Sequence, residues 1–258
     1  MNIHTYGADA RLAFCKEYLR GENIHSVGSI ILLPIPTTKD GETLHGSRQN
    51  LSEIADKCTR GDVFVGYGLP KEFRREISSR GAAAIDVSRD EEYLTENANL
   101  TAVGTVGRIL SEEKAAPSEL SVGVIGYGRI GQRLVRLLMF LSGRVTVFTS
   151  KSELRQELCM LGISGADSLS VDSSVTAEKL AALDILINTA PAKLLGENSR
   201  EALSKVRVIE LASGDNMPEG VAVERFVSVP AVMYPKSAGY ALASSILRML
   251  GEGTDKYQ

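Results

Sequence analysis

Apolar stretches that alternate with helical ones along 258 residues, together with a glycine turn joining the strand-like 121–125 to the helix after it, predict an α/β protein. The expected fold class is a Rossmann-type doubly wound parallel sheet with a smaller N-terminal α/β domain. A chain of this length buries a substantial core without disulfides or metals. With 29 basic and 32 acidic residues and a formal net charge of -3, no field recommends nucleic acid or an anionic membrane, so a small-molecule site is expected.

Taken in order, residues 8–20 place Leu12, Cys15 and Leu19 at helical spacing before Gly21. SVGSIILLPIP (26–36) reads as a buried strand ended by prolines, and TTKDGETLHG (37–46) as a polar loop at its end. A short helix around Leu51, Ile54 and Ala55, a strand at 62–68, a helix at 71–81 and a strand at 82–88 follow. NANLTAVGTVGRILSEEKAA (97–116) reads as a polar corner leading into a helix stopped by Pro117.

The second half is more regular: strand 121–125, helix 129–142, strand 145–148, helix 152–161, a short strand near 166–169, helix 176–182, strand 184–189, a helix near 197–204 and strand 206–211. A last helix covers 235–253. The expected division is an N-terminal α/β substrate domain (1–100), a linker helix (101–117), a dinucleotide-binding domain (118–234) and a C-terminal helix (235–258) packing back on the N-terminal domain. Three well-separated cysteines (Cys15, Cys58, Cys159) without C-x-x-C spacing, no basic-then-apolar leader and no membrane-length apolar run lead us to expect a cytoplasmic protein with reduced thiols.

Gly126, Gly128 and Gly131 form G-x-G-x-x-G between a strand and a helix, the context that the motif needs to grip a pyrophosphate. Gly126, Tyr127, Gly128, Arg129, Ile130 and Gly131 are the expected cofactor contacts there; the alternative is a helix packed closely on a sheet with no ligand. At the end of the next strand, an acid would select NAD through the ribose 2′-OH. This chain has Thr149, Ser150 and Lys151, with Arg155 beyond, so NADP is expected ahead of NAD; a solvated polar loop is the alternative. Asn188, Thr189, Ala190 and Pro191, then Ala212 and Ser213, end the following strands and are expected against the cofactor's other half. Pro235-Lys236-Ser237-Ala238-Gly239 opens the last helix with a cation that opposes the helix dipole, so either a local anion or solvent faces it. His4, His25 and His45 all precede the glycine turn, and no Walker A lysine, nucleophile elbow or metal-ligand cluster is present. No catalytic residue is assigned.

LLPIPTTKDG, NANLTAVGTVGRIL, VIGYGRIGQRL, DILINTAPA, VIELAS and VPAVMYPKSAGYALA together resemble, in this order, the dipicolinate synthase A family. That family shares a two-domain plan with D-2-hydroxyacid dehydrogenases. Val103 stands where its segment usually carries Glu. The resemblance implies oxidation of dihydrodipicolinate, a small dicarboxylate, to dipicolinate during spore formation, with hydride passed to NADP. It further implies substrate binding by Thr37, Thr38, Lys236 and Ser237, a partner in the form of a flavoprotein-like B subunit, and a homo-oligomer. Two other readings stay open at this level: a catalytically silent nucleotide- or partner-binding protein, and a reductase of another small carboxylic acid.

Overall fold

Ile30, Ile31 and Leu32, with Leu33 just after them, are all buried, because the strand at this point is covered on both faces. In the computed structural model, which describes residues 2–22, 24, 28–141, 144–149, 151–163 and 174–253, the chain divides into two units. One comprises Met1–Leu100 with Pro230–Gln258 and the other Thr101–Val229. The first unit contains β1 (Asn2–Thr5), α1 (Ala10–Arg20), β2 (Ser29–Leu32), α2 (Leu51–Ala55), β3 (Val63–Gly66), α3 (Lys71–Ser79) and β4 (Ala83–Asp86), followed by the start of α4 (Glu91–Glu112). Its strands are parallel, in the order β1-β2-β3-β4. Successive side chains of a strand point to opposite faces. Ile30 and Leu32 accordingly pack with Ile3, Val63 and Leu12 of α1, whereas Ile31 and Leu33 pack with Ile54 of α2 and Phe73 and Ile77 of α3.

The second unit runs β5 (Val122–Ile125), α5 (Arg129–Leu141), β6 (Val145–Phe148), α6 (Ser152–Met160), α7 (Ser174–Ala181), β7 (Ile185–Asn188), α8 (Ser199–Ala202), β8 (Arg207–Glu210) and β9 (Val223–Arg225). α9 (Val229–Met233) then leads into α10 (Pro235–Gly253). The strands are parallel in the order β6-β5-β7-β8-β9. From β5 the chain goes out to β6 and returns to the other side as β7, so the carboxyl ends of β5 and β7 flank the switch point of a doubly wound sheet. Val122, Val124, Leu134, Val135, Val147 and Ile187 form one core face. Ile125, Phe148, Leu186 and Val208 form the other.

Several elements depart from the sequence-based expectation. α4 begins at Glu91, ahead of the polar corner expected from residue 97, and ends at Glu112. Asp90 starts it by accepting from the N–H groups of Glu92 and Tyr93 at 2.9 and 3.2 Å. The expected linker helix from residue 101 is thus the latter part of a continuous 22-residue helix. Asn97 and Asn99 are half-buried within it, and the Asn99 amide donates to Glu96 at 3.2 Å. β1 and β9 were not expected: each is a sheet edge, and β1 buries only Ile3 of its four residues. The strand expected near 166–169, Ser26 and Val27 of the first expected strand, and His25 lie outside the described residues.

α10 packs on α1 within the first unit. Ala238, Leu242, Ala243 and Ile246 are buried there with Leu12, Cys15 and Leu19. The approach is closest at Gly239, where a Cβ would stand 2.6 Å from the Arg11 carbonyl oxygen and 2.7 Å from Phe14 Cβ. Helix propensity alone favours Ala over Gly by about 1 kcal/mol, but backbone cannot yield to a contact of this kind. Gly239→Ala is therefore expected to lower stability by about 1–3 kcal/mol. A raised unfolding midpoint in a thermal melt would show that the helices can separate at little cost.

Candidate functional site

β5 ends in the glycine turn. Gly126 adopts φ 88°, a left-handed conformation that glycine reaches without strain. A Cβ on it would lie 2.8 Å from Thr189 Oγ1, and one on Gly131 would lie 2.3 Å from the Gly126 carbonyl oxygen. These two glycines let α5 fold directly back over the strand end. Gly128 differs: a Cβ there meets nothing within 4 Å, so its bare backbone faces open space where a ligand can approach. Tyr127 and Ile130 pack against the core, and the Gln132 N–H already donates to the Gly128 carbonyl at 2.9 Å. The first N–H groups of α5 have no partner within the helix, and its first turn carries no acid. Arg129 opens that turn and is exposed.

At the end of β6, Thr149 is buried. Its hydroxyl accepts from the Lys151 N–H at 3.3 Å, and Arg155 Nη1 donates to its carbonyl at 3.2 Å. The Arg155 guanidinium is thereby anchored at the strand end, with exposed Lys151 beside it in sequence. Ser150 lies outside the described residues. Arg155, Ser152, Gln156 and Cys159 line a shallow depression of about 400 Å³. Glu153, the first acid after the strand, is in the first turn of α6, where its own backbone N–H and the Ser152 hydroxyl hold its carboxyl below the usual range. Arg155 and Lys151 lower it further.

β7 and β8 end side by side, with Asn188 opposite Glu210. Thr189 donates through both its N–H and its hydroxyl to the Ile125 carbonyl, at 2.9 and 2.8 Å, which ties the end of β7 to the strand beneath the glycine turn. Asn188 is 1 % exposed and its amide is engaged by Glu210 and by the backbone of Ala190. It shapes the turn from within, and half-buried Thr189 and Ala190 with exposed Pro191 form the outer surface. Ala212 is half-buried and Ser213 exposed after β8. Glu210 was not expected; its sequence signal is a lone acid closing the apolar strand RVIE.

In the first unit, Thr37 is fully buried. Its hydroxyl accepts from the Tyr67 N–H at 2.9 Å, and its own N–H donates to the Tyr67 carbonyl at 3.1 Å, so its side chain joins the loop after β2 to the end of β3. Thr38 donates to Asp40 Oδ1 at 2.8 Å and accepts from the Gly41 N–H. Asp40 also accepts from Thr43 and Glu42 N–H groups, which hold its carboxyl far below the usual range. Lys236 and Ser237 are exposed in the first turn of α10, with Lys236 Nζ 5.7 Å from the centre of the Tyr240 ring. Arg11, a second residue that sequence reasoning passed over, is buried and pairs with Asp9 at 2.9 Å. Asp9 Oδ2 accepts from the Ile35 N–H at 3.3 Å and Arg11 Nη2 donates to the Ile35 carbonyl at 3.4 Å, bracing the proline-containing loop. Burial pushes the Cys15 thiol far up, making it a packing residue. No group of three or more metal-ligating side chains occurs among the described residues, and no helix among them is long and apolar enough to cross a membrane.

Thr37→Val keeps the shape of the side chain but leaves the Tyr67 N–H without its acceptor. The expected cost is about 1–3 kcal/mol, read from the urea midpoint; a midpoint equal to the wild type would mean that this hydroxyl does not hold the loop.

No protein-family model and no characterised protein sequence matches the chain. Solved structures do match in fold. Dipicolinate synthase A from Bacillus halodurans aligns over 96% of this chain and 97% of its own, with a TM-score of 0.75 at 20% identity. The dipicolinate synthase A chain from Bacillus subtilis aligns over 99% and 97%, with a TM-score of 0.76 at 18% identity. The apo form of D-lactate dehydrogenase from Escherichia coli aligns over 98% and 97%, with a TM-score of 0.58 at 13% identity. The α/β fold of this chain is therefore that of Rossmann-type dehydrogenase structures, and the structures similar to it include the family whose motifs its sequence resembles.

Proposed function

We propose that this chain is an NADP-dependent oxidoreductase of a small dicarboxylate, with dihydrodipicolinate as its substrate. The observation that carries the reading is the turn at the switch point: two glycines packed too closely for any side chain, and a third left open to a ligand. The likeness in fold to dipicolinate synthase A structures supports the choice of substrate.

In this reading the Gly126–Gly131 turn and the first N–H groups of α5 hold the pyrophosphate, which the helix dipole favours. Thr149, Lys151 and Arg155 hold the 2′-phosphate: no acid stands at the strand end to repel it, and the anchored Arg155 loses little freedom on binding. The backbone of Thr189 to Pro191 and of Ala212 to Ser213 borders the nicotinamide half. The bound nicotinamide supplies the hydride acceptor, and the gain of aromaticity in the product drives the oxidation. What remains for the protein is to bind and align a doubly charged ring. Lys236, with Ser237, provides a cation and a hydroxyl for a carboxylate; the shaped loop carrying Thr38 provides further polar groups. A flavoprotein-like partner is not required for hydride transfer in this scheme.

Calorimetry at neutral pH should show NADPH binding more tightly than NADH, and Arg155→Ala should weaken NADPH about tenfold while leaving NADH within about twofold. Tighter NADH binding would sink the reading of the β6 end. The purified chain with NADP alone should convert dihydrodipicolinate to dipicolinate, and Lys236→Ala should raise KM for the dicarboxylate several-fold at unchanged NADPH affinity. Turnover that needs a second protein would favour a nucleotide-binding role without catalysis.

A further inference from the structure

Glu210 is a carboxylate 2 % exposed at the end of β8. Both its oxygens accept from Asn188 Nδ2 of β7, at 2.9 and 3.0 Å, and Oε1 also accepts from the Ala212 N–H at 2.9 Å. The Asn216 side chain adds a further bond. Asn188 completes the arrangement through Ala190, donating from Nδ2 to its carbonyl and accepting at Oδ1 from its N–H, each at 3.1 Å. One buried carboxylate therefore sets two turns, 188–191 after β7 and 210–213 after β8. The charged residue facing it is Arg225, opposite Glu210 on β9 and bound to the Gly214 carbonyl and to Asp215 Oδ1 at 2.6 and 2.7 Å. Burying a carboxylate is costly even when it is well bonded, and an apolar side chain would fill the space with less penalty. A charge kept here points to a task beyond packing.

We propose that Glu210 is a positioning residue for the cofactor, holding the turns after β7 and β8 in the geometry that receives the nicotinamide half of the dinucleotide. It acts through Asn188 and the Ala212 N–H and touches no reacting atom. The assignment to the nicotinamide half follows from the switch-point topology: the pyrophosphate lies at the β5 turn and the adenosine ribose at the end of β6, so β7 and β8 border the other half. This inference rests on the dinucleotide reading above.

Glu210→Gln keeps the size and replaces one acceptor with an NH₂ donor, which then opposes either the Asn188 amide or the Ala212 N–H. Protonating Glu210 has a related effect, because a carboxylic acid carries a donor where the carboxylate had acceptors only. Burial raises the Glu210 carboxyl, and the bonds from Asn188, Ala212 and Asn216 with the charge of Arg225 only partly offset this. Lowering the pH through that raised value should therefore loosen the two turns.

The test is calorimetry with NADP⁺ and with 2′,5′-ADP, which carries the adenosine half alone, from neutral pH down to about pH 4, below the ordinary glutamate value. The ratio of the two affinities cancels the titration of the shared 2′-phosphate. Glu210→Gln should weaken NADP⁺ about tenfold and 2′,5′-ADP less than about twofold. In the wild type the NADP⁺ preference should shrink toward acid pH, and in the Gln variant it should stay flat. Glu210→Asp, which keeps the charge on a shorter arm, should lose less affinity and retain the pH dependence. Equal losses for both ligands, or a wild-type ratio independent of pH, would overturn the proposal; the latter reading stands even if the Gln variant fails to fold. A wild type that binds neither ligand would instead remove the dinucleotide reading, and this inference with it.

Discussion

The contact on which the carboxyl end of the second unit's sheet depends is backbone against backbone: the first turn of α5 rests on the carbonyl of Gly126, with no room for a Cβ at Gly131. Because the helix begins this close to the strand, the turn is short and Gly128 is left bare. From there order passes sideways across the sheet by hydrogen bonds. Thr189 reaches back to Ile125, Asn188 reaches across to Glu210, and Glu210 collects the Ala212 N–H. Each bond fixes one strand end relative to the next.

The first unit uses the same device with different residues. Asp9 and Arg11 brace the backbone of Ile35, Thr37 ties the following loop to Tyr67, and Asp86 accepts from the N–H groups of Gly68 and Leu69. Loops at strand ends contain backbone donors that the sheet no longer satisfies, and burial makes each one costly unless a side chain accepts from it. Polar residues placed there are part of the scaffold first. This is why Thr37, which resembles a substrate contact by its family motif, sits wholly inside the loop, while Lys236 and Ser237 stay exposed.

Much of the architecture was legible in the residues because it rests on local patterns. IILL and VGVI read as strands covered on both faces, the glycines at 126, 128 and 131 marked a strand-to-helix turn, and VFTSK displayed an acid-free strand end. Where a local pattern conflicted with a distant partner, the reading slipped. Asn97 and Asn99 looked like a corner, yet the Asp90 cap and the burial of Tyr93 carry α4 through them. β1 and β9 offer too few inward residues to announce themselves, and they form because a neighbouring strand supplies the ladder.

By itself the sequence determined the α/β class, the place of the glycine turn between strand and helix, and the cation-rich strand end after it, since each is written in neighbouring residues and in backbone sterics. Only the tertiary structure decided which polar side chains serve the scaffold and which face outward. Asn188 read as a cofactor contact and Glu210 as an ordinary strand residue until parallel pairing set them side by side, 22 positions apart in the chain. Hydrogen bonds between side chains on adjacent strands depend on register, and register is fixed by the packing of the whole sheet rather than by any segment of it.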